Sequence, residues 1–495
     1  MLLCFVALFI QLNNIQVLKA NSLANNPNNP HVQAVQRIQP RGDILSADGV
    51  NLATSVPTTS GFYKYQRVYN KDTAVPFSQI VGYDTIFGTR TGIEAEYNSF
   101  LRSHSRPAKT LRDLLINRTT TDNVTLTINT VLQNQVAAAV DATDVNGNAP
   151  QAGAVVINVK TGAIQAMYSN PPYDPRQLVS QDPKVVIRNF NALNPKSGQS
   201  PLVSRTFGMG FLPGSTFKTV TSSAVYDHQP ALAKVDYPVT DCIKVAQQVN
   251  QLCNYAGANG VHESCGGTIQ TTLPASCNTA FAQMGLALKT DLTTEAQAFG
   301  FNQRIPLDLP GVNASIFPST SQIAFSAPLQ ASSAFGQGNG QVSVVATALQ
   351  MALVASGIGN QGVIMTPHVM SQIRDSQGNL VESYTPKPWL TATNPLTAGA
   401  VTSLMQAVVT QGTATQVGFP AIWNVAAKTG TAETGTGNAT GSNLTNDWMI
   451  AFAPANNPKV AVAVVVPNQP GSATGAEISG PPMKTILGDA LAQTP

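Results

Sequence analysis

The chain has 495 residues, too many for one ordinary domain, so two or three are expected. Hydrophobic residues make up 43%, enough for real cores, and charged residues only 11%, against roughly 25% in an average soluble protein, so disorder driven by charge is excluded. The net charge is +3 with no basic run longer than a pair, which leaves nucleic-acid binding without electrostatic support.

The N-terminus is apolar from Met1 to Ile10 and again at Leu12, Ile15, Val17 and Leu18. A spanning helix needs about 20 mostly apolar residues. This stretch is slightly short, is interrupted by Gln11, Asn13, Asn14 and Gln16, and has no Lys or Arg before it. Residues 1–20 are expected to be an uncleaved single-pass anchor, whose true start could lie upstream of Met1. The rival is a cleavable signal with Ala20 and Ala24 near the cut. Residues 21–31 are polar and broken by proline, as a linker would be.

Asp48-Gly49 lies between apolar positions and predicts a hairpin turn. Val124–Asn129 alternates as a strand. Thr130–Val140 then reads as a helix with Val131, Leu132, Val136 and Val140 on one side. Two apolar runs, 154–159 and 163–167, flank Lys160-Thr161-Gly162 and predict a second hairpin. A domain boundary is placed near 146, in Asn146–Pro150, giving segments 21–145 and 146–495. Gly336-Gln337-Gly338-Asn339-Gly340 lacks both the GxGxxG spacing and the Lys-Ser/Thr of a phosphate loop. It reads as a tight turn before a helix over Val342–Ala355. Trp448–Ala453 and Val460–Val466 flank Pro454–Pro458 as a buried hairpin, and Met483–Leu491 closes the chain as a helix. The last domain therefore builds its sheet from strands at both of its ends, with a long helical insertion between.

Five cysteines are present, Cys4 and then Cys242, Cys253, Cys265 and Cys277 within 36 residues. In an oxidising compartment the four suggest two disulfides, with three possible pairings. Free thiols are the first alternative. A zinc site with His262 is another, but Cys253-x8-His262-x2-Cys265 matches no common finger, so no metal is expected. Asn117, Asn123, Asn313, Asn438 and Asn443 each open an Asn-x-Ser/Thr sequon and read as products of an Asn- and Thr-rich composition.

Three short segments carry the chemistry: Ser215-Thr216-Phe217-Lys218, Ser276-Cys277-Asn278 and Lys428-Thr429-Gly430-Thr431. Each alone is weak. A Ser-x-x-Lys is more often a helix cap with a solvated lysine, Ser-x-Asn an ordinary cap, and a Lys-bearing strand a guarded edge. Together they supply what attack on an amide carbonyl needs. Ser215 is the nucleophile, and Lys218 at i+3 shares its helix face and serves as base if neutral. Burial and a second cation such as Lys428 would keep it neutral. Ser276 relays a proton, and Asn278 holds a substrate amide. Lys428, Thr429 and Thr431 receive a carboxylate, and Gly430 lets a substrate backbone lie against the strand. The Ser215 and Thr431 N–H groups would form an oxyanion hole. No cofactor is called for.

These motifs, in this order, resemble those of the penicillin-binding, serine acyl-transferase family. Leu212-Pro213-Gly214 before Ser215, Thr279-Ala280-Phe281 after Asn278 and Ala432-Glu433 after Thr431 extend the likeness to the actinobacterial class B branch. Arg41-Gly42-Asp43-Ile44 and Gly82-Tyr83 through Tyr97 look like that branch's N-terminal pedestal. Arg41-Gly42-Asp43 is therefore not read as an adhesion signal.

The resemblance implies an α/β fold, an antiparallel sheet flanked by helices as in serine β-lactamases and transpeptidases. A small α+β pedestal or dimerisation-like domain would precede it. It implies a peptidoglycan D,D-transpeptidase that crosslinks stem peptides, takes lipid-linked precursor and is acylated by β-lactams. Its partner would be a membrane glycosyltransferase of the shape and division type, and its catalytic domain would lie outside the cytoplasm. It also implies pairing of Cys265 with Cys277 beside Ser276, leaving Cys242 for Cys253. A D,D-carboxypeptidase or a non-catalytic β-lactam sensor would share the motifs. A class A β-lactamase would need a glutamate for its deacylating water. Between Ser276 and Lys428 only Glu295 and Glu382 occur, and neither sits in a Glu-x-x-Leu-Asn context.

Overall fold

The structure is a computed structural model and describes residues 2–15, 38–59, 63–105, 119–143, 151–195, 200–256, 260–437, 443–471 and 473–493. The expected linker at 21–31, the boundary at Asn146–Pro150 and the sequons at Asn117 and Asn438 lie outside the described residues. The chain forms two compact units.

The first unit gathers residues 1–126, 173–200 and 371–383. Its six-stranded sheet runs Leu380–Ser383, Met370–Asp375, Asp122–Leu126, Ile44–Leu45, Asn51–Pro57, Tyr65–Tyr69. The Asp48-Gly49 turn joins two of these strands as expected, with Gly49 at φ +78°. Arg41 is no adhesion signal: it is buried and donates to Glu94 Oε2 at 2.7 Å. The N-terminal helix covers Leu2–Asn13, and among the described residues no helix is long and apolar enough to cross a membrane.

The second unit holds 127–172, 201–370 and 384–495. Helix α1 spans Thr130–Asp141, capped by the Asn129 side chain. Leu132, Val136 and Val140 are buried as expected, but Val131 faces out, 56% exposed. At the first turn the Asn129 carboxamide takes the Val131 N–H, and that side of the helix is exposed at Val131, Asn134 and Ala138. Strands β1 (Ala152–Asn158) and β2 (Ile164–Asn170) form the expected hairpin, with Gly162 at φ +77° in its bend.

The sheet closes with β3 (Ala426–Gly437), β4 (Asn443–Ala453) and β5 (Val460–Pro470), in the spatial order β3-β4-β5-β1-β2, all antiparallel. Strands from both ends of the unit thus pair through β5 and β1. Val460–Val466 is buried throughout, as a strand covered on both faces must be. Helix α4 (Ala348–Gly359), with every residue buried, packs on β5, β1 and β4. Helix α6 (Gly480–Gln493) and α1 touch each other and form the other helical layer.

Helix α4 starts at Ala348, six residues later than the sequence suggests. Thr347 caps it by accepting from the Gln350 N–H, and Val345 and Ala346 bridge to Ile316 and Phe211 in extended form. An apolar run could not reveal this, because the competing partners are distant in sequence.

Candidate active site

Ser215 lies on a 3₁₀ turn, Gly214–Phe217, that runs into helix α2 (Lys218–His228). The turn is pinned from three sides. Gly214, at φ +53°, donates its N–H to Gly336 O at 3.0 Å. Trp448 Nε1 on β4 donates to Leu212 O at 2.8 Å. From β3, Gly430 abuts the turn so closely that a Cβ there would meet Pro213 O and Thr216 Cγ2, both at 2.9 Å. The room left by the missing side chain of Gly430 is thus taken by the nucleophile's own turn. The glycine-rich 336–340 segment buttresses the same turn, since a Cβ at Gly336 would collide with Gly214 O.

Lys218 and Lys428 are both fully buried. Lys218 Nζ donates to Ser276 O at 2.5 Å and Asn278 Oδ1 at 2.8 Å, and stands 3.3 Å from Ser276 Oγ. Lys428 Nζ donates to Ser276 Oγ at 2.9 Å and Thr429 O at 3.0 Å. Both nitrogens reach one oxygen, so they lie within roughly 6 Å, where two unit charges repel by about 3 kcal/mol at an effective dielectric constant of ~20. Among the described residues no carboxylate pairs with either lysine. Burial pushes Lys428 down to about 7. Burial, and then Lys428, pushes Lys218 well below the ordinary lysine value. A neutral lysine amine beside a serine turn is a base at neutral pH. The Ser215 hydroxyl makes no hydrogen bond among the described residues, so the expected pairing with Lys218 is not formed in this state. Catalytic hydrogen bonds often tighten only around substrate.

Ser276 holds a left-handed backbone, φ +59°, between a short helix (Ile269–Thr272) and α3 (Asn278–Leu288). This conformation is costly for a serine and persists only where surroundings impose it. Here the Ser276 N–H donates to Leu273 O at 3.0 Å and the Cys277 N–H to Thr272 O at 2.9 Å. Cys277 is bonded to Cys265, and Cys242 to Cys253, the pairing the resemblance implied. Asn278 Nδ2 donates to Cys253 O at 3.3 Å, so the second disulfide hairpin supports the same motif. Cys242, Cys253 and His262 offer ligand atoms within 4.8 Å of one another, but both sulfurs are consumed by the disulfide.

A cleft of about 740 Å³ runs along β3, the edge of the sheet. It is lined by Ser215, Ser276, Asn278, Thr429, Gly430 and Thr431, so six of the eight candidate site residues share one surface. Lys218 and Lys428 lie just beneath it. Sequence reading missed three supports. Thr413 Oγ1 contacts Thr429 Oγ1 at 2.6 Å, and the Gly475 N–H donates to Thr431 Oγ1 at 2.9 Å. Asp447 stands opposite Thr431 in the β3–β4 ladder. No local pattern marks these residues. Glu295 and Glu382, the glutamates weighed for a deacylating water, do not line the cleft; Glu295 is buried against His228 at 3.0 Å.

Residues 152–488 match the penicillin binding protein transpeptidase domain, and 41–124 the penicillin binding protein A dimerisation domain. The chain is 33% identical over 492 residues to peptidoglycan D,D-transpeptidase PbpA of Mycolicibacterium smegmatis, covering 96% of this chain and 94% of that one. It is 32% identical to PbpA of Mycobacterium tuberculosis, covering 99% and 97%. Among solved structures it resembles penicillin-binding protein A from M. tuberculosis in its ceftriaxone acyl-enzyme complex. There the TM-score is 0.81 at 27% identity, over 92% of this chain and 100% of that one. The chain belongs to the penicillin-binding protein transpeptidase family.

Proposed function

We propose that this chain is a peptidoglycan D,D-transpeptidase working through an acyl-enzyme on Ser215. The observation that carries the reading is the convergence on Ser276, beside the cleft-lining Ser215, of two buried lysines that pair with no carboxylate among the described residues. Neutral Lys218 takes the Ser215 proton as Oγ attacks the penultimate D-Ala carbonyl of a stem peptide. The Ser215 and Thr431 N–H groups hold the oxyanion. Ser276 passes a proton to the leaving amine, and the terminal D-Ala departs. Lys428, Thr429 and Thr431 receive the stem's terminal carboxylate, and Asn278 orients its amide. The amine of a second stem then attacks the ester carbonyl, forms the crosslink and frees Ser215. β-Lactams acylate the same serine, and the acyl-enzyme structures of the M. tuberculosis relative support that covalent step.

The wider setting belongs to the same reading. The pedestal expected at 21–145 and the transpeptidase domain expected at 146–495 exchange segments along the two compact units: 127–145 goes with the second, and 173–200 and 371–383 with the first. The apolar N-terminus anchors the protein in the membrane with its catalytic domain outside. A membrane glycosyltransferase of the shape and division type supplies glycan strands from lipid-linked precursor.

One incubation with fluorescent penicillin, followed over time, tests the reading. Persistent label together with crosslinking of lipid-linked precursor is expected. Fast loss of label would indicate a β-lactamase. Persistent label without crosslinks would indicate a sensor, and D-Ala release without crosslinks a carboxypeptidase.

A further inference from the structure

Asp447 sits on β4 directly opposite Thr431 on β3. Cross-strand partners share a face of the sheet, so its carboxyl lies behind the Thr431 hydroxyl that lines the cleft. The residue has no exposed surface. Thr445 Oγ1 donates to Asp447 Oδ2 at a long 3.4 Å, while Oδ1 has no hydrogen-bond partner of acceptable geometry among the described residues. A buried carboxylate with an unpaired oxygen is costly, and a protonated carboxyl becomes a donor instead.

The hydrogen-bonding capacity of Thr431 then decides what that donor can do. The hydroxyl has two lone pairs and one proton. One lone pair is occupied by the Gly475 N–H on helix α5 (Gly475–Ile478).

We propose that Asp447 is a positioning residue that donates, as a neutral acid, to the second lone pair of Thr431 Oγ1 and so turns the Thr431 proton toward the carboxylate of the substrate. This rests on the proposed role of Thr431 in carboxylate recognition. Ionised, Asp447 would accept the Thr431 proton itself and place a negative charge behind the site where the substrate's own negative charge must sit.

The surroundings favour the neutral form. Burial lifts the Asp447 carboxyl to about 8; the Thr431 and Thr445 hydroxyls pull it back, and Glu477 on α5 adds to the rise. The other titratable groups on the elements around it are Lys428 and Glu433 on β3, Tyr255 across the cleft, and Lys484 and Asp489 on α6, while the β5 residue opposite is Val466. Among the described residues no lysine or arginine forms an ion pair with Asp447.

The test is the rate of acylation of the full chain by benzylpenicillin from about pH 6.5 to about pH 9, in the wild type, Asp447→Asn, Thr431→Val and the double variant. Asparagine keeps an N–H donor at every pH. Asp447→Asn should match the wild type at the acid end and exceed it about tenfold at the alkaline end. There, roughly one unit above its midpoint, only about a tenth of the acid stays neutral. The gain should appear in the saturation constant for the drug rather than in the limiting acylation rate. In the Thr431→Val background Asp447→Asn should add nothing at any pH.

A flat ratio across the range, or an Asn advantage that survives loss of the Thr431 hydroxyl, would overturn the proposal. Should Asp447→Asn fail to fold, wild type against Thr431→Val decides alone. Their ratio should shrink about tenfold toward alkaline pH, and a constant ratio would overturn the proposal. Acid-end labelling of the wild type is the separate control. Its absence would defeat the acyl-enzyme reading, while its presence with a flat ratio defeats only the role of Asp447.

Discussion

In the first unit, Arg41 and Arg67 are buried against the carboxylate of Glu94, at 2.7 and 2.5 Å. In the second, Lys218 and Lys428 are just as deeply buried, but against a serine hydroxyl and carbonyl oxygens. Burial alone would raise Glu94, yet Arg67 and Arg41 draw it below the usual carboxylate range, and Arg41 is held charged in return. Among the described residues the lysines have no such partner, and burial pushes both toward the neutral amine. The comparison teaches that burial does not decide what a cation does. A carboxylate partner makes it structural, and the absence of one makes it a base.

The contrast can be broken from either side. Ser215→Ala should abolish covalent labelling by fluorescent penicillin in a folded protein, because no other serine lies three residues before a lysine within the three-motif order. Labelling at normal stoichiometry in that variant would remove the assignment.

Lys218→Ala should slow acylation by roughly 10²–10⁴-fold, the usual worth of a general base. Lys428→Ala should cost less and act mainly on binding of carboxylate-bearing drugs. Stopped-flow acylation at several drug concentrations separates the two effects, and the reverse ranking would contradict the roles of base for Lys218 and carboxylate partner for Lys428.

In the first unit the effect should move from rate to stability. Glu94→Ala takes their shared carboxylate from two buried guanidinium groups, leaving Asp84 to Arg41 and none to Arg67, and should cost about 3–5 kcal/mol in denaturant unfolding of that unit. The acylation rate of the folded fraction should not change.

The smallest effect belongs to the disulfides. Each closes a loop of about a dozen residues, so replacing either pair by serine should cost up to about 3 kcal/mol by loop closure. Peptide mapping without reductant should find Cys242–Cys253 and Cys265–Cys277 in protein taken from the cell surface. Four free thiols would contradict the structure.

Much of the site was legible because its parts are local. Ser215 and Lys218 are one turn apart, Ser276 and Asn278 flank one residue, and Lys428–Thr431 is a continuous strand. The hairpins around Lys160-Thr161-Gly162 and Pro454–Pro458 were legible for the same reason. What escaped depends on contacts between distant segments. Nothing in Lys-Thr-Gly-Thr says that Gly430 makes room for Pro213 and Thr216, that Thr429 meets Thr413, or that Asp447 stands behind Thr431. The direction of Lys218 escaped too. Its spacing points to Ser215, while its amine nitrogen reaches Ser276 and Asn278, sixty residues away at most.

The central claim, that Lys218 is a neutral base because it is buried without a carboxylate, is tested most directly by the pH dependence of acylation. Labelling by fluorescent penicillin would be followed from about pH 5 to about pH 10 in the wild type and in Lys218→Ala. A base is active once deprotonated, so the rate should rise through a midpoint well below the ordinary lysine value of about 10.4. That rising limb should vanish in Lys218→Ala. A wild-type rate still climbing through about pH 10, or a limb that survives the loss of Lys218, would contradict the account.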